Sequence, residues 1–147
     1  MFELGSDGPR VILVGVDGSR SSLRAGAYAA GLARRQRSLL VIGYIQPVGA
    51  AVVPQAAASI AEAGRGIAEE IRAQIHEALD RLPEDAMPDW EFRTRSGDPY
   101  GGLVKIAEEV RAEAVVIGAS EHTGHRIVGS VGVRLVKSGR WPVTVVP

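Results

Sequence analysis

Asp17 ends the apolar run Arg10-Val-Ile-Leu-Val-Gly-Val16 and opens the turn Asp17-Gly18-Ser19. A carboxylate at that point can accept hydrogen bonds from ribose hydroxyls or help hold a metal. Asp-Gly-Ser is also good turn chemistry, so Asp17 can equally start a turn and cap the helix that follows. Residue types alone leave both roles open. A second group comprises Gly118, Gly124 and Gly129-Ser130, in the order strand, glycine-containing loop, helix start. Backbone N–H groups at a helix N-terminus, with the positive end of its dipole, form an anion site. Glycine lets the backbone approach a phosphate closely. Three or four charge-assisted hydrogen bonds of roughly 1.5–3 kcal/mol each would hold a nucleotide there. The plainer alternative is that Ser130 caps the helix and the glycines only shape the loop.

The other polar groups carry less. His122 and His125 form a His-x2-His pair with only Glu121 adjacent, short of the ligand set a structural zinc needs. They read as a solvated loop pair, and no metal site is assigned. His76 falls in a helical pattern and reads as a surface residue. Ser130 lacks the strained strand-to-helix elbow around it, so no Ser-His-Asp arrangement is defensible. No residue is nominated as catalytic. Arg34-Arg35-Gln36-Arg37 reads as a solvated helix end, where cations are favoured.

The elements that must position these groups follow from patterning. Arg10 to Val16, Leu39 to Ile45 and Ala114 to Gly118 are continuous apolar runs, the signature of strands buried on both faces. Trp90 to Thr94 alternates, as a strand exposed on one face would. Pro142 to Val146 is the last strand. A helix is expected from about Arg20 to Arg35, its N-cap drawn from Ser19, Ser21 and Ser22. A long amphipathic helix is expected from about Ser59 to Leu82, with the stripe Ile60, Ile67, Ile71, Ile75, Leu79 and Leu82. Asp98 and Pro99 suit the cap and first position of a third helix, whose buried stripe is Leu103, Ile106, Ala107 and Val110. A fourth runs from about Gly129 to Ser138, with Gly139 as C-cap. Gln46 to Ala58, holding Pro47, Gly49 and Pro54, reads as a long connection, and Ala119 to Val128 as a polar loop. Trp90 and Trp141 read as packing residues at strand ends.

Strands alternating with helices argue a parallel sheet with right-handed crossovers. In such sheets ligands bind beyond the carboxyl ends of the strands, where the strand order reverses. That directs attention to Gly15 to Ser19, Ile45 to Pro47 and Gly118 to Ser130.

Composition narrows the function classes. The 147 residues make about one domain, so residues 1–147 are read as a single domain. Seventeen basic and seventeen acidic residues leave no net charge, hence no global field to gather nucleic acid or an acidic membrane. The chain has no cysteine, which excludes disulfides, thiolate catalysis and iron–sulfur clusters. No apolar run approaches the ~20 residues that cross a bilayer. Met1 to Gly8 carries Glu3 and Asp7 and lacks a basic-then-apolar signal. A cytoplasmic protein is the expectation.

Val11-Ile-Leu-Val-Gly-Val-Asp-Gly-Ser19, Gly97-Asp-Pro99, Ala114-Val-Val-Ile-Gly118, Gly129-Ser-Val131 and Pro142-Val-Thr-Val-Val146 together resemble the universal stress protein family, in order and across essentially the whole chain. The resemblance implies a Rossmann-like, doubly wound α/β domain of three layers, of the adenine nucleotide alpha hydrolase-like type. Its five parallel strands would lie in the order 3-2-1-4-5. It implies a homodimer joined through the last strand, with Trp141, Val143, Thr144, Val145 and Val146 at the interface. An exposed edge strand is otherwise a liability.

Family members divide into those that bind ATP and those that do not. The binding pattern is Gly-x2-Gly-x9-Gly-Ser/Thr after the fourth strand. Its first Gly matches Gly118 and its final pair matches Gly129-Ser130. The loop between them is two residues shorter than the pattern, and the second Gly falls on Glu121. A carboxylate there would repel a triphosphate unless a cation intervened. By resemblance the nucleotide site would comprise Gly15, Val16, Asp17, Ile45, Ile117, Gly118, Gly124, Arg126, Gly129, Ser130 and Val131. The ligand would be ATP or another adenine nucleotide such as AMP, with magnesium. Its occupancy would order Gln46 to Ala58 and the Gly118–Gly129 loop and change the surface shown to a partner. Binding would be the activity, with hydrolysis at most weak, since no general base or positioned arginine stands out for phosphoryl transfer. Two alternatives remain: an interaction module of the same family that binds no nucleotide, and a slow nucleotide-dependent hydrolase.

Overall fold

The structure, a computed structural model, describes residues 8–48, 54–122 and 125–147. Five parallel strands form one sheet: β1 (Val11–Val16), β2 (Leu39–Gln46), β3 (Trp90–Ser96), β4 (Ala114–Gly118) and β7 (Val143–Val146). They lie in the order β3-β2-β1-β4-β7. Numbered among themselves this is 3-2-1-4-5, the order the resemblance implied. The remaining two strands, β5 (Ser120–His122) and β6 (His125–Ile127), make a separate antiparallel pair.

The apolar runs become central strands because successive side chains feed opposite faces. Ile12, Val14 and Val16 enter a core face shared with α1 (Arg20–Gln36) and α2 (Pro54–Asp80). Leu13 joins the opposite core face with residues of α3 (Pro99–Val110) and α4 (Ser130–Ser138). The result is a sheet between two helical layers. On one side Ala25, Ala29 and Ala33 form a fully buried seam of α1, spaced at i, i+4, which brings the helix backbone close to the sheet. On the other side Leu103, Ile106 and Ala107 are buried as expected, while Val110 is only partly covered.

Three expectations need correction. The second helix begins at Pro54, not Ser59, and ends at Asp80. Proline is at home in a first helical turn, and the alanines that follow are strong helix formers. Of the expected connection from Gln46 to Ala58, Gln46 therefore belongs to β2 and 54–58 to α2, while 49–53 lie outside the described residues. The apolar stripe of α2 is also covered only in part. Ile71 and Leu79 are buried, but Ile60, Ile67 and Leu82 are exposed. A helix of 27 residues spans ~40 Å, whereas the 8-residue β2 beneath it spans ~26 Å, so its ends overhang the sheet; Ile67, at its middle, is exposed because it lines an open cleft. Finally, the polar loop from Ala119 to Val128 contains the β5–β6 hairpin, in which Glu121 pairs with Arg126 and His122 with His125.

Candidate functional site

A cleft of about 700 Å³ opens at the carboxyl ends of β1, β2 and β4. This is a volume suited to a small-molecule ligand. β1 lies between β2 and β4, so the cleft sits at the point where the strand order reverses.

One wall is the β1–α1 turn. Asp17 Oδ1 accepts the Ser19 N–H at 2.9 Å. Ser19 Oγ accepts the Ser22 N–H at 3.2 Å and so caps α1. Ser22 Oγ accepts the Asp17 N–H at 3.2 Å and donates to the Ser19 carbonyl at 3.0 Å. Asp17 thus shapes the turn as its Asp-Gly-Ser context suggests, and Ser19 is the cap among the three candidate serines. Gly18 has φ +84°, the left-handed conformation that the turn requires. Partial burial pushes the Asp17 carboxyl up, but the hydrogen bonds from Ser19 and Ser22 outweigh it and hold the group below its ordinary value. The carboxylate is ionised at neutral pH and acts as an acceptor.

The opposite wall is the start of α4. Gly129 is its N-cap, with φ −68°, and no side chain caps it. Ser130 is the first helical residue, so the plainer alternative in which Ser130 caps α4 does not hold. The first backbone amides of α4 keep their anion-binding character, unlike those of α1, where Ser19 occupies one. The floor between the walls is apolar, with Ile45, Leu103 and Ile117. An Arg134 guanidinium stacks on Tyr100 at 3.9 Å and lies 3.5 Å from Asp98, the cap of α3, and so links α3 to α4.

Nine of the residues nominated from sequence line this one cleft: Gly15, Val16, Asp17, Ile45, Ile117, Gly118, Gly129, Ser130 and Val131. Gly124 lies outside the described residues. Arg126 is in β6. The glycines serve packing as well as access. A Cβ on Gly118 would stand 2.5 Å from the Ser21 carbonyl carbon and 2.6 Å from the Ser22 nitrogen. One on Gly129 would stand 2.9 Å from Ser120 Cβ. One on Gly15 would stand 3.0 Å from Leu103 Cδ1.

Pro47 and Ser120, within the spans singled out from sequence, also line the cleft, as do Tyr44, Ser21 and Ile67, which sequence reasoning did not nominate. Tyr44 did carry a signal, being the sole polar-tipped side chain in Leu39-Leu-Val-Ile-Gly-Tyr-Ile45. The Gln46 amide donates at 3.2 Å to the Ala61 carbonyl of α2, tying the end of β2 to the helix above it. His76 is exposed as expected, yet its ring packs edge-on against Trp90 at 4.8 Å.

At the far edge of the sheet β7 pairs with β4, Val143 opposite Val115 and Val146 opposite Gly118. Its residues are all half-buried. Trp141 packs against the core face containing Val115 and Leu135, beneath the Arg140 guanidinium at 4.4 Å. Among the described residues no helix is long and apolar enough to cross a membrane.

Residues 9–147 match the model of the universal stress protein family. The chain is 28% identical over 141 residues to a universal stress protein of Methanocaldococcus jannaschii, covering 92% of this chain and 80% of that protein. It superposes on the UspA structure of Lactobacillus plantarum with TM-score 0.80 at 22% identity, covering 93% and 97% of the two chains. It superposes on a universal stress protein solved in complex with cAMP with TM-score 0.69 at 30% identity, covering 95% and 97%.

Proposed function

The chain belongs to the universal stress protein family, and on that premise we propose that its activity is reversible binding of an adenine nucleotide in the cleft. The ligand acts as a regulatory signal in a stress-response protein of the cytoplasm. One observation carries this reading. Residues nominated from three separate strand ends converge on a single cleft closed by the uncapped N-terminus of α4. An apolar floor suits a purine, the α4 amides suit a phosphate, and the Asp17 carboxylate suits hydroxyl or amino donors. The 30%-identical relative solved with cAMP supports the same ligand class.

The test is thermal unfolding of the purified chain with cAMP, AMP and ATP at millimolar concentration, the last with and without magnesium. A ligand at 100 times its dissociation constant adds about 2.7 kcal/mol of stability, a plain upward shift in Tm. The expected result is a shift with at least one of the three. No shift with any, on protein free of carried-over nucleotide, rejects the reading in favour of a ligand-free interaction module. Measurable turnover of ATP, lost in Asp17→Ala, would favour the slow-hydrolase alternative.

The edge strand favours a second element. β7 pairs only with β4 in the sheet, and its other edge is open to a second copy of the same strand. We propose that two chains join there into a homodimer, with Trp141, Val143, Thr144, Val145 and Val146 at the interface.

A further inference from the structure

Tyr44 keeps only 3% of its surface and belongs to the core face that includes Val16 and Ile71. Among the described residues nothing hydrogen-bonds its hydroxyl. Nor is that hydroxyl sealed in. The sole fully buried, unpartnered side-chain oxygen or nitrogen among the described residues is Gln36 Oε1, and Tyr44 lines the cleft. A buried tyrosine ordinarily finds a partner for its hydroxyl, and leaving one unpaired is costly. Phenylalanine would fill the same apolar space without that cost, so packing does not explain the oxygen.

What stands beside it explains more. Val16 pairs with Tyr44 across β1 and β2, which sets Tyr44 next to the start of the Asp17 turn. Burial and the Asp17 charge together hold the phenol above its ordinary range, so it stays protonated. An ionised carboxylate only accepts hydrogen bonds, whereas a phenol both donates and accepts.

We propose that Tyr44 is a ligand-contacting residue of the cleft, its hydroxyl and the Asp17 carboxylate together receiving a hydrogen-bond-donating edge of the bound nucleoside. The inference rests on the nucleotide reading above. Adenosine offers two such edges, the exocyclic amine of the base and the ribose hydroxyls, and both are met by the same pair of protein groups.

The experiment is calorimetric titration of the full chain and of Tyr44→Phe with AMP, inosine monophosphate and 2′-deoxyadenosine monophosphate, beside their melting temperatures without ligand. Tyr44→Phe is expected to bind AMP about fivefold to tenfold more weakly, with an unliganded Tm equal to or above that of the parent. If the amine is the donor, the parent prefers AMP to the inosine nucleotide and the variant loses that preference. If the ribose is the donor, the lost preference is the one over the deoxynucleotide. Equal AMP affinity in parent and variant overturns the Tyr44 assignment and leaves the nucleotide reading standing. Equal affinity of the parent for all three nucleotides overturns it too, as does a lowered unliganded Tm in Tyr44→Phe, which would make the hydroxyl structural. Absence of binding of AMP, cAMP and ATP by the parent overturns both readings together.

Discussion

Gly118 and Ser21 approach so closely that a Cβ on the glycine would stand 2.5 Å from the serine carbonyl carbon. The end of β4 and the first turn of α1 are thereby locked backbone to backbone. A flexible side chain could swing away, but here the obstacle is main chain.

Gly118→Ala is therefore expected to cost about 1–3 kcal/mol, as overpacking does, read as a lower urea midpoint at unchanged slope. Gly66→Ala is the contrast. Gly66 lies within α2, and a methyl group there would meet nothing within 4 Å. Alanine at that position should stabilise by about 0.5–1 kcal/mol. Equal effects of the two changes would refute the locking contact.

Asp17 makes stability depend on pH. Its folded-state pKa lies below the ordinary 3.8, so the folded chain binds the proton less readily than the unfolded one. The contribution is present above about pH 4 and is lost as pH falls through the folded value. Asp17→Asn keeps an acceptor for the Ser19 N–H but removes the charge. Unfolding in urea at pH 7 and at pH 3 should show a smaller fall for Asp17→Asn than for the parent. An identical fall would show that this carboxylate is not responsible.

Ser130→Asp tests the anion wall. Ser130 is exposed at the first position of α4, where a carboxylate favours the helix by about 0.3–1 kcal/mol but repels a phosphate. The variant should melt no lower than the parent and bind AMP at least tenfold more weakly. Adenosine, which carries no phosphate, should bind both chains alike. Unchanged AMP binding would move the phosphate away from α4.

Thr144→Arg tests the open edge of β7. Thr144 is half-buried, pairs with Val116 and lies on the same face of β7 as Val146. Sedimentation should give twice the 15.5 kDa chain mass for the parent and the chain mass for the variant, because two like charges would meet across a symmetric edge. A parent that sediments at the chain mass rejects the homodimer.

Much of this architecture can be read from patterning. Val11 to Val16, Leu39 to Ile45 and Ala114 to Gly118 announce themselves as buried parallel strands, since a strand covered on both faces must be apolar throughout. Local chemistry also places the caps at Ser19, Asp98 and Gly139, because a cap is a bond between residues two or three apart. The resemblance to a family supplied the strand order, and with it the strand ends that line the cleft.

The rest depended on contacts between residues far apart in the chain. How much of α2 is covered depends on what lies beneath it: Ile60 sits toward an overhanging end and Ile67 over the open cleft, so both look like core and are exposed. The β5–β6 hairpin is three residues a side, too short for a period to show. Gly118 reads as room for a phosphate, yet its missing Cβ also makes room for α1. Tyr44 reads as one more strand residue until Asp17 is set beside it. Periodicity reports which face a residue belongs to, whereas steric fit and electrostatic neighbours are properties of the assembled layers.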